Sequence, residues 1–190
     1  MCTKPPAIPT RKICRPPDSP GGAAWRRQPP FANKEPSVRK KNSECNDPAF
    51  FDEVFAAADE LCLAMHDGDY PYVLPLNFVR QGQAIYIHCA LAGRKLDCIR
   101  QNPRVAFTVM ADISISREKS TTYFKSLCGR GQARIVEDDA EKGRALDAIA
   151  ARYAALCPQP TPPASVRRTC IVRIDIEELV GRRRLPPGAE

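Results

Sequence analysis

Residues 71–109 read PYVLPLNFVRQGQAIYIHCALAGRKLDCIRQNPRVAFTV, and no other stretch narrows the fold as much. Two apolar runs, 72–79 and 84–89, flank the turn-forming Arg80-Gln81-Gly82-Gln83. Short apolar runs rich in Val, Ile and Tyr and bounded by turn residues read as strands. A helix pattern opens at Gly93-Arg94-Lys95 and stops at Asn102-Pro103. The stop follows because a residue before proline is pushed out of the helical region. A third apolar run, 105–110, comes next. The predicted order is strand, turn, strand, helix, strand.

Arg94 and Lys95 stand where that helix begins. A helix N-terminus has backbone N–H groups without intrahelical acceptors and a partial positive charge. It attracts phosphate without side-chain help. Arg94 adds a bidentate fork and Lys95 a point charge. A phosphate held there would leave the rest of its molecule along the preceding strands. The plainer account is a pair of solvated first-turn cations, although the helix dipole does not favour cations at that end.

The remaining chain supplies more strands than helices. Asn46/Asp47-Pro48 starts a helix that runs to about Asp59, with Phe51, Val54, Phe55 and Ala58 at helical spacing. Leu61, Leu63 and Met65 alternate with Cys62 and Ala64 up to the turn Asp67-Gly68-Asp69, so the first two strands form a hairpin. Pro75 inside the second strand points to an edge or a bulge. His88 ends the third strand, on the face of Ala84 and Tyr86, and Cys89 points to the other face. Residues 121–136 read as one long strand that Gly129 and Gly131 let bend. Asp138 or Asp139 caps a helix with the stripe Leu146, Ile149, Ala150, Tyr153. Residues 158–163 read as a linker. The last strand alternates through Cys170, Val172, Ile174 and Ile176, and Arg182-Arg183-Arg184 with residues 183–190 reads as a solvated tail.

Charge divides the chain. Residues 1–41 hold ten Lys/Arg against Asp18 and Glu35, a net of +8, so the remaining 149 residues of the +7 chain carry −1. A near-neutral domain argues against a nucleic-acid face on it. Residues 1–36 are dense in Pro, Gly and Arg and read as a disordered basic arm, with 37–182 the folded domain. The nine cysteines are odd in number and form no Cys-x-x-Cys, which removes the usual zinc and thioredoxin signatures, and no metal site is expected. Buried reduced thiols fit a cytoplasmic protein. No apolar run approaches the ~18 residues that span a bilayer, and the N-terminus has no apolar signal core.

The segments PYVLPLNF, IYIHCALAGRKLDCIRQNPRV, YFKSLCGRGQARIVED and EKGRALDAI together resemble the FMN-binding, pyridoxamine 5'-phosphate oxidase-like split barrels. More narrowly they resemble the nitroimidazole-resistance (Nim-like) branch. The resemblance covers roughly residues 37–182. It implies a mainly β fold, a six-stranded antiparallel Greek-key barrel with flanking helices, that dimerises with FMN at the interface. It implies that the FMN phosphate lies on Arg94 and Lys95, with the ring against Val73, Leu74, Pro75, Leu76 and Asn77. His88 and Cys89 would lie close by, His88 as the residue for substrate contact or proton delivery. Ser126 would lie near the ring, often from the dimer partner.

The leading expectation is an FMN-dependent oxidoreductase that passes electrons from a reduced nicotinamide, or another donor, to a small acceptor such as a nitroaromatic. It is not a true pyridoxamine phosphate oxidase. Those enzymes carry a basic residue where this chain has Asn77, and a C-terminal Trp and Arg segment, whereas the one tryptophan here is Trp25. Two alternatives stand beside it. One is a non-catalytic flavin- or haem-binding protein on the same barrel, with His88 as the haem ligand. The other makes the basic arm the working part and the barrel a dimerisation module.

Overall fold

The computed structural model describes residues 43–153 and 162–189. Contacts divide the chain into Met1–Ser37 and Val38–Glu190, and all described residues lie in the second unit. The arm 1–36, Trp25 and most of the 158–163 linker therefore lie outside the described residues.

Helix α1 (Pro48–Ala57) starts where Asp47 accepts a hydrogen bond from the Ala49 N–H at 3.0 Å, with proline in its first turn. Strands β1 (Glu60–Asp67) and β2 (Tyr70–Asn77) form the expected hairpin around Gly68, whose positive φ of 61° suits glycine. Then come β3 (Val79–Gln81), β4 (Ala84–Cys89), α2 (Arg94–Gln101), β5 (Arg104–Ser116), β6 (Thr121–Ile135), α3 (Asp139–Arg152), α4 (Pro163–Arg168) and β7 (Cys170–Arg184). The strands form one antiparallel sheet in the order β2-β1-β5-β6-β7-β4-β3. Its two ends come round so that β2 approaches β4 without a hydrogen-bonded ladder. The barrel is split along this seam.

Leu61, Leu63, Ile85, Ile87, Phe107, Val109, Leu127 and Ile174 fill the interior, and Val54 of α1 and Leu96 of α2 reach the same cluster. A smaller cluster lies between α3 and the outer side of β3, β4 and β7, built on Val79, Tyr86, Leu146, Ile149 and Ile171.

Two expectations need correction. The sheet has seven strands, not six. The run 72–79 breaks at Phe78, which is fully buried and whose N–H donates to the Tyr153 hydroxyl at 3.1 Å. Val79–Gln81 then forms its own hairpin with β4 through Gly82 (φ 60°). The run Arg182-Arg183-Arg184 is the end of β7, not a tail, with Ser126, Lys125 and Phe124 as cross-strand partners. The fifteen-residue β6 offers a ladder that long, and Gly181 leaves room for Phe50 and the Cys45 carbonyl. Residues 163–168, which begin at the last residue of the expected 158–163 linker, form a short helix.

A polar clamp fixes α3. Asp138 caps the helix by accepting from the Glu141 N–H at 2.8 Å. Glu141 in turn accepts from Tyr86 at 3.0 Å, Arg134 at 3.1 Å and Arg173 at 3.2 Å. Burial would raise the Glu141 carboxyl, but these three donors together outweigh it and hold it below the ordinary carboxylate value of 4.5. A depressed folded pKa gives stability that is full above the unfolded value and is lost as pH falls through the folded one. Glu141→Gln is expected to cost about 1–2 kcal/mol at neutral pH. In urea unfolding, the gap between wild type and Glu141→Gln should close as pH drops below about 4.5. A gap that stays constant to lower pH would remove the carboxylate from the clamp.

Candidate functional site

The seam is the place to look, because β2 is an edge strand there. A strand paired on one side leaves backbone N–H and C=O groups free on the other. Pro71 and Pro75 fit this edge, since neither has an N–H to give to the ladder with β1. Proline in an edge strand turns its nitrogen to the open side. By alternation Val73 shares that side, so its N–H and C=O face the seam. Side chains alternate as well. Val73, Pro75 and Asn77 are exposed, while Leu74 and Leu76 turn inward against the core. Only the first three can therefore offer side chains to a ligand. The Asn77 amide N–H is directed at the Asp59 carbonyl, at 3.3 Å, where it helps to fix the end of the strand.

Helix α2 opens toward the same region. Its N-cap is Gly93, at φ 143°, which supplies no side chain to the first-turn N–H groups. Leu96 N–H turns back to the Gly93 carbonyl at 2.9 Å. The N–H groups of Arg94 and Lys95 have no intrahelical acceptor, by the geometry of a helix start. The Arg94 guanidinium is ion-paired to Asp67 at the end of β1 and stands 4.9 Å over the Tyr72 ring. Bonding to Asp67 raises its pKa further. Lys95 is half-buried and has no carboxylate partner among the described residues. Its ammonium is therefore free to meet an anion at the helix start.

His88 and Cys89 end β4. The cover of α3 over Ala84 and Tyr86 stops short of His88, which is exposed and makes no side-chain hydrogen bond or ion pair among the described residues. Cys89 is half-buried, facing the core, opposite Cys170 in the register of β4 and β7. Burial pushes its thiol up to about 11, against the pull of the Lys95 charge. A thiol held protonated at neutral pH is a poor nucleophile.

Ser126 stands apart. It lies on β6, three strands from β2 in the sheet order, which is about 14 Å along the sheet. Its hydroxyl makes only a long contact to the Arg182 carbonyl, at 3.5 Å. One molecule thus brings together the β2 residues, Arg94 and Lys95 with the end of β4, and leaves Ser126 outside. Sequence reasoning missed Tyr72 and Asp67 as the partners that hold Arg94.

Among the described residues, depressions of about 460 and about 250 Å³ open on the surface, and none of the expected site residues lines either. In the larger one Arg80 is ion-paired to Asp52, and Arg152 donates to the Phe55 and Ala58 carbonyls at the end of α1. Those cations already serve the fold. No helix among the described residues is long and apolar enough to cross a membrane.

A profile described as pyridoxamine 5'-phosphate oxidase matches residues 51–183, most of the chain. This chain belongs to the pyridoxamine 5'-phosphate oxidase-like family. The family match covers β2, β4, α2 and β6, which is every element that carries an expected site residue. An uncharacterized protein of Rhizobium meliloti (strain 1021) is 32% identical over 65 residues, which are 34% of this chain and 42% of that protein. The chain therefore matches less than half the length of that curated relative.

Solved structures agree on the fold. A candidate 5-nitroimidazole antibiotic resistance protein from Bacteroides thetaiotaomicron VPI-5482 superposes with a TM-score of 0.66 at 23% identity, over 74% of this chain and 86% of that one. The flavocytochrome Anf3 of Azotobacter vinelandii gives 0.66 at 20% identity, over 81% and 75%. An FAD- and haem-binding protein of Mycobacterium smegmatis gives 0.65 at 18% identity, over 77% of each chain. These likenesses establish the split-barrel fold.

Proposed function

We propose that this chain binds FMN at the seam and acts, as a homodimer, as an oxidoreductase toward a small acceptor of nitroaromatic type. The observation that carries this reading is Lys95, half-buried without a carboxylate partner at an uncapped helix start beside a free strand edge. The donor set suits a phosphate monoester: helix N–H groups, a guanidinium and an ammonium. The open edge of β2 suits a heteroaromatic ring that both donates and accepts hydrogen bonds. When bound, FMN supplies electron and hydride transfer, which no side chain offers.

The chain's own residues hold, orient and shield. Arg94 and Lys95 hold the phosphate, and Tyr72 stacks beneath Arg94 to keep its fork aimed. The backbone of Val73 fixes the ring edge, and Val73 and Pro75 exclude water from one side. His88 is the exposed group available to hold a proton at its imidazole nitrogen for an acceptor. Two features support the dimer. Ser126 is too far from β2 in one molecule to share its ligand. Val73, Met110 and Ile115 leave apolar surface uncovered, at 54%, 49% and 74% exposure. A second copy would bring its Ser126 to the first copy's ring. The free thiols Cys45, Cys62, Cys89, Cys98, Cys128 and Cys170 suit a reducing, cytoplasmic setting.

Haem binding through His88 is the second reading, favoured by the flavocytochrome and the FAD- and haem-binding protein among the similar structures. An absorption spectrum of the purified protein with added FMN separates the two. Flavin bands retained after gel filtration are expected. His88→Ala should keep the flavin and lose most turnover with a nitroaromatic acceptor. A Soret band that disappears in His88→Ala would establish the haem reading instead. A colourless protein that takes up neither pigment would end both.

A further inference from the structure

The smaller depression, of about 250 Å³, has a composition that the cofactor site does not explain. Its floor is Ala64 of β1 and Ala106 of β5, which lie opposite each other in the register. Ala106 is also opposite Arg130 of β6. His66 and Arg104 stand one step along the same face, two residues from each alanine. Two methyl groups thus floor a groove walled by a guanidinium, a second guanidinium and an imidazole.

Like charges on neighbouring rungs of a sheet repel and need a reason to be there. Among the described residues, Arg130 is ion-paired to Glu178 at 3.5 Å. Arg104 and His66 have no carboxylate partner among the described residues, so their charge is left to solvent or a ligand. The small floor lets a ligand group approach the strands closely. The volume falls below the range of about 300–1,000 Å³ typical of sites for whole small molecules, so the groove takes one charged group of a larger ligand. Planar guanidinium forks match phosphate oxygens.

Position suggests whose phosphate it is. Ala64 is the cross-strand partner of Val73, so the groove lies one strand from the ring position proposed above. We propose that His66, Arg104 and Arg130 form a phosphate subsite for the electron donor, a reduced nicotinamide dinucleotide that carries an extra phosphate. The assignment to the donor rests on the flavin reading. The phosphate subsite itself does not.

The test uses the full chain saturated with FMN and follows backbone amide shifts during titration with inorganic phosphate, NADP⁺ and NAD⁺. Saturable shifts at residues 64–66, 104–106 and 130 are expected with phosphate and NADP⁺, with NADP⁺ binding at least tenfold tighter than NAD⁺. Arg104→Gln and Arg130→Gln, both exposed, should each weaken NADP⁺ by about tenfold or more. They should leave FMN uptake unchanged. Phosphate shifts confined to residues 93–96, or unaltered by Arg104→Gln, would overturn the subsite. Equal affinity for NADP⁺ and NAD⁺, with phosphate still in the groove, would overturn the donor assignment alone. Loss of FMN uptake with phosphate still bound at 104–106 would sink the flavin reading and keep the subsite.

Discussion

Gly131→Ala is expected to destabilise the chain by about 2–4 kcal/mol, and Gly131→Val to abolish folding. A Cβ at this position would stand 2.1 Å from the Asp175 carbonyl oxygen and 3.0 Å from its carbon. Those atoms belong to the backbone of β7, where the β6–β7 register shifts between Arg130 and Gly131. They cannot withdraw without opening the ladder that joins the two longest strands. Gly129→Ala provides the comparison. Its Cβ would meet the tip of the Phe107 ring at 2.2 Å, which is a side chain and can tilt. The smaller loss should be at Gly129. Urea unfolding of both variants measures the difference. A Gly131→Ala midpoint close to wild type would show that β6 and β7 can separate locally, against this account of the bend.

The second large effect is on cofactor retention. Lys95→Ala is expected to raise the dissociation constant for FMN by roughly 10- to 150-fold, the range for one hydrogen bond to a charged group. Arg94→Ala should cost at least as much, because it also removes the stack on Tyr72 and leaves Asp67 facing the phosphate. The two changes share one ligand group, so their effects should not add. Quenching of FMN fluorescence on titration reads both, with circular dichroism as the check on folding. Unchanged affinity in both variants would move the phosphate away from α2.

How much of this could be read beforehand depends on where each contact originates. The helix α2 was legible because its stop, Asn102-Pro103, and its glycine start are local. The edge position of β2 was legible from Pro75. β3 was not, because the break at Phe78 depends on Tyr153, which reaches it from α3. Nor was the end of β7. Three consecutive arginines lack any strand pattern, and only the length of β6 gives their backbone a partner. The pairing of Arg94 was hidden for a related reason, since Asp67 and Tyr72 come from the preceding hairpin. The groove of His66, Arg104 and Arg130 escaped because three separate strands contribute to it. Seen one strand at a time, each is an ordinary exposed polar residue.

The prolines of β2 have an effect beyond ligand binding. An open strand edge is a template on which other chains can pair and aggregate. Pro71 and Pro75 remove alternate donors from that edge, so an incoming strand would meet carbonyls where it needs N–H groups. The barrel can therefore stay open along one side without seeding fibrils. Pro75→Val is the substitution that would restore a donor and expose this protection.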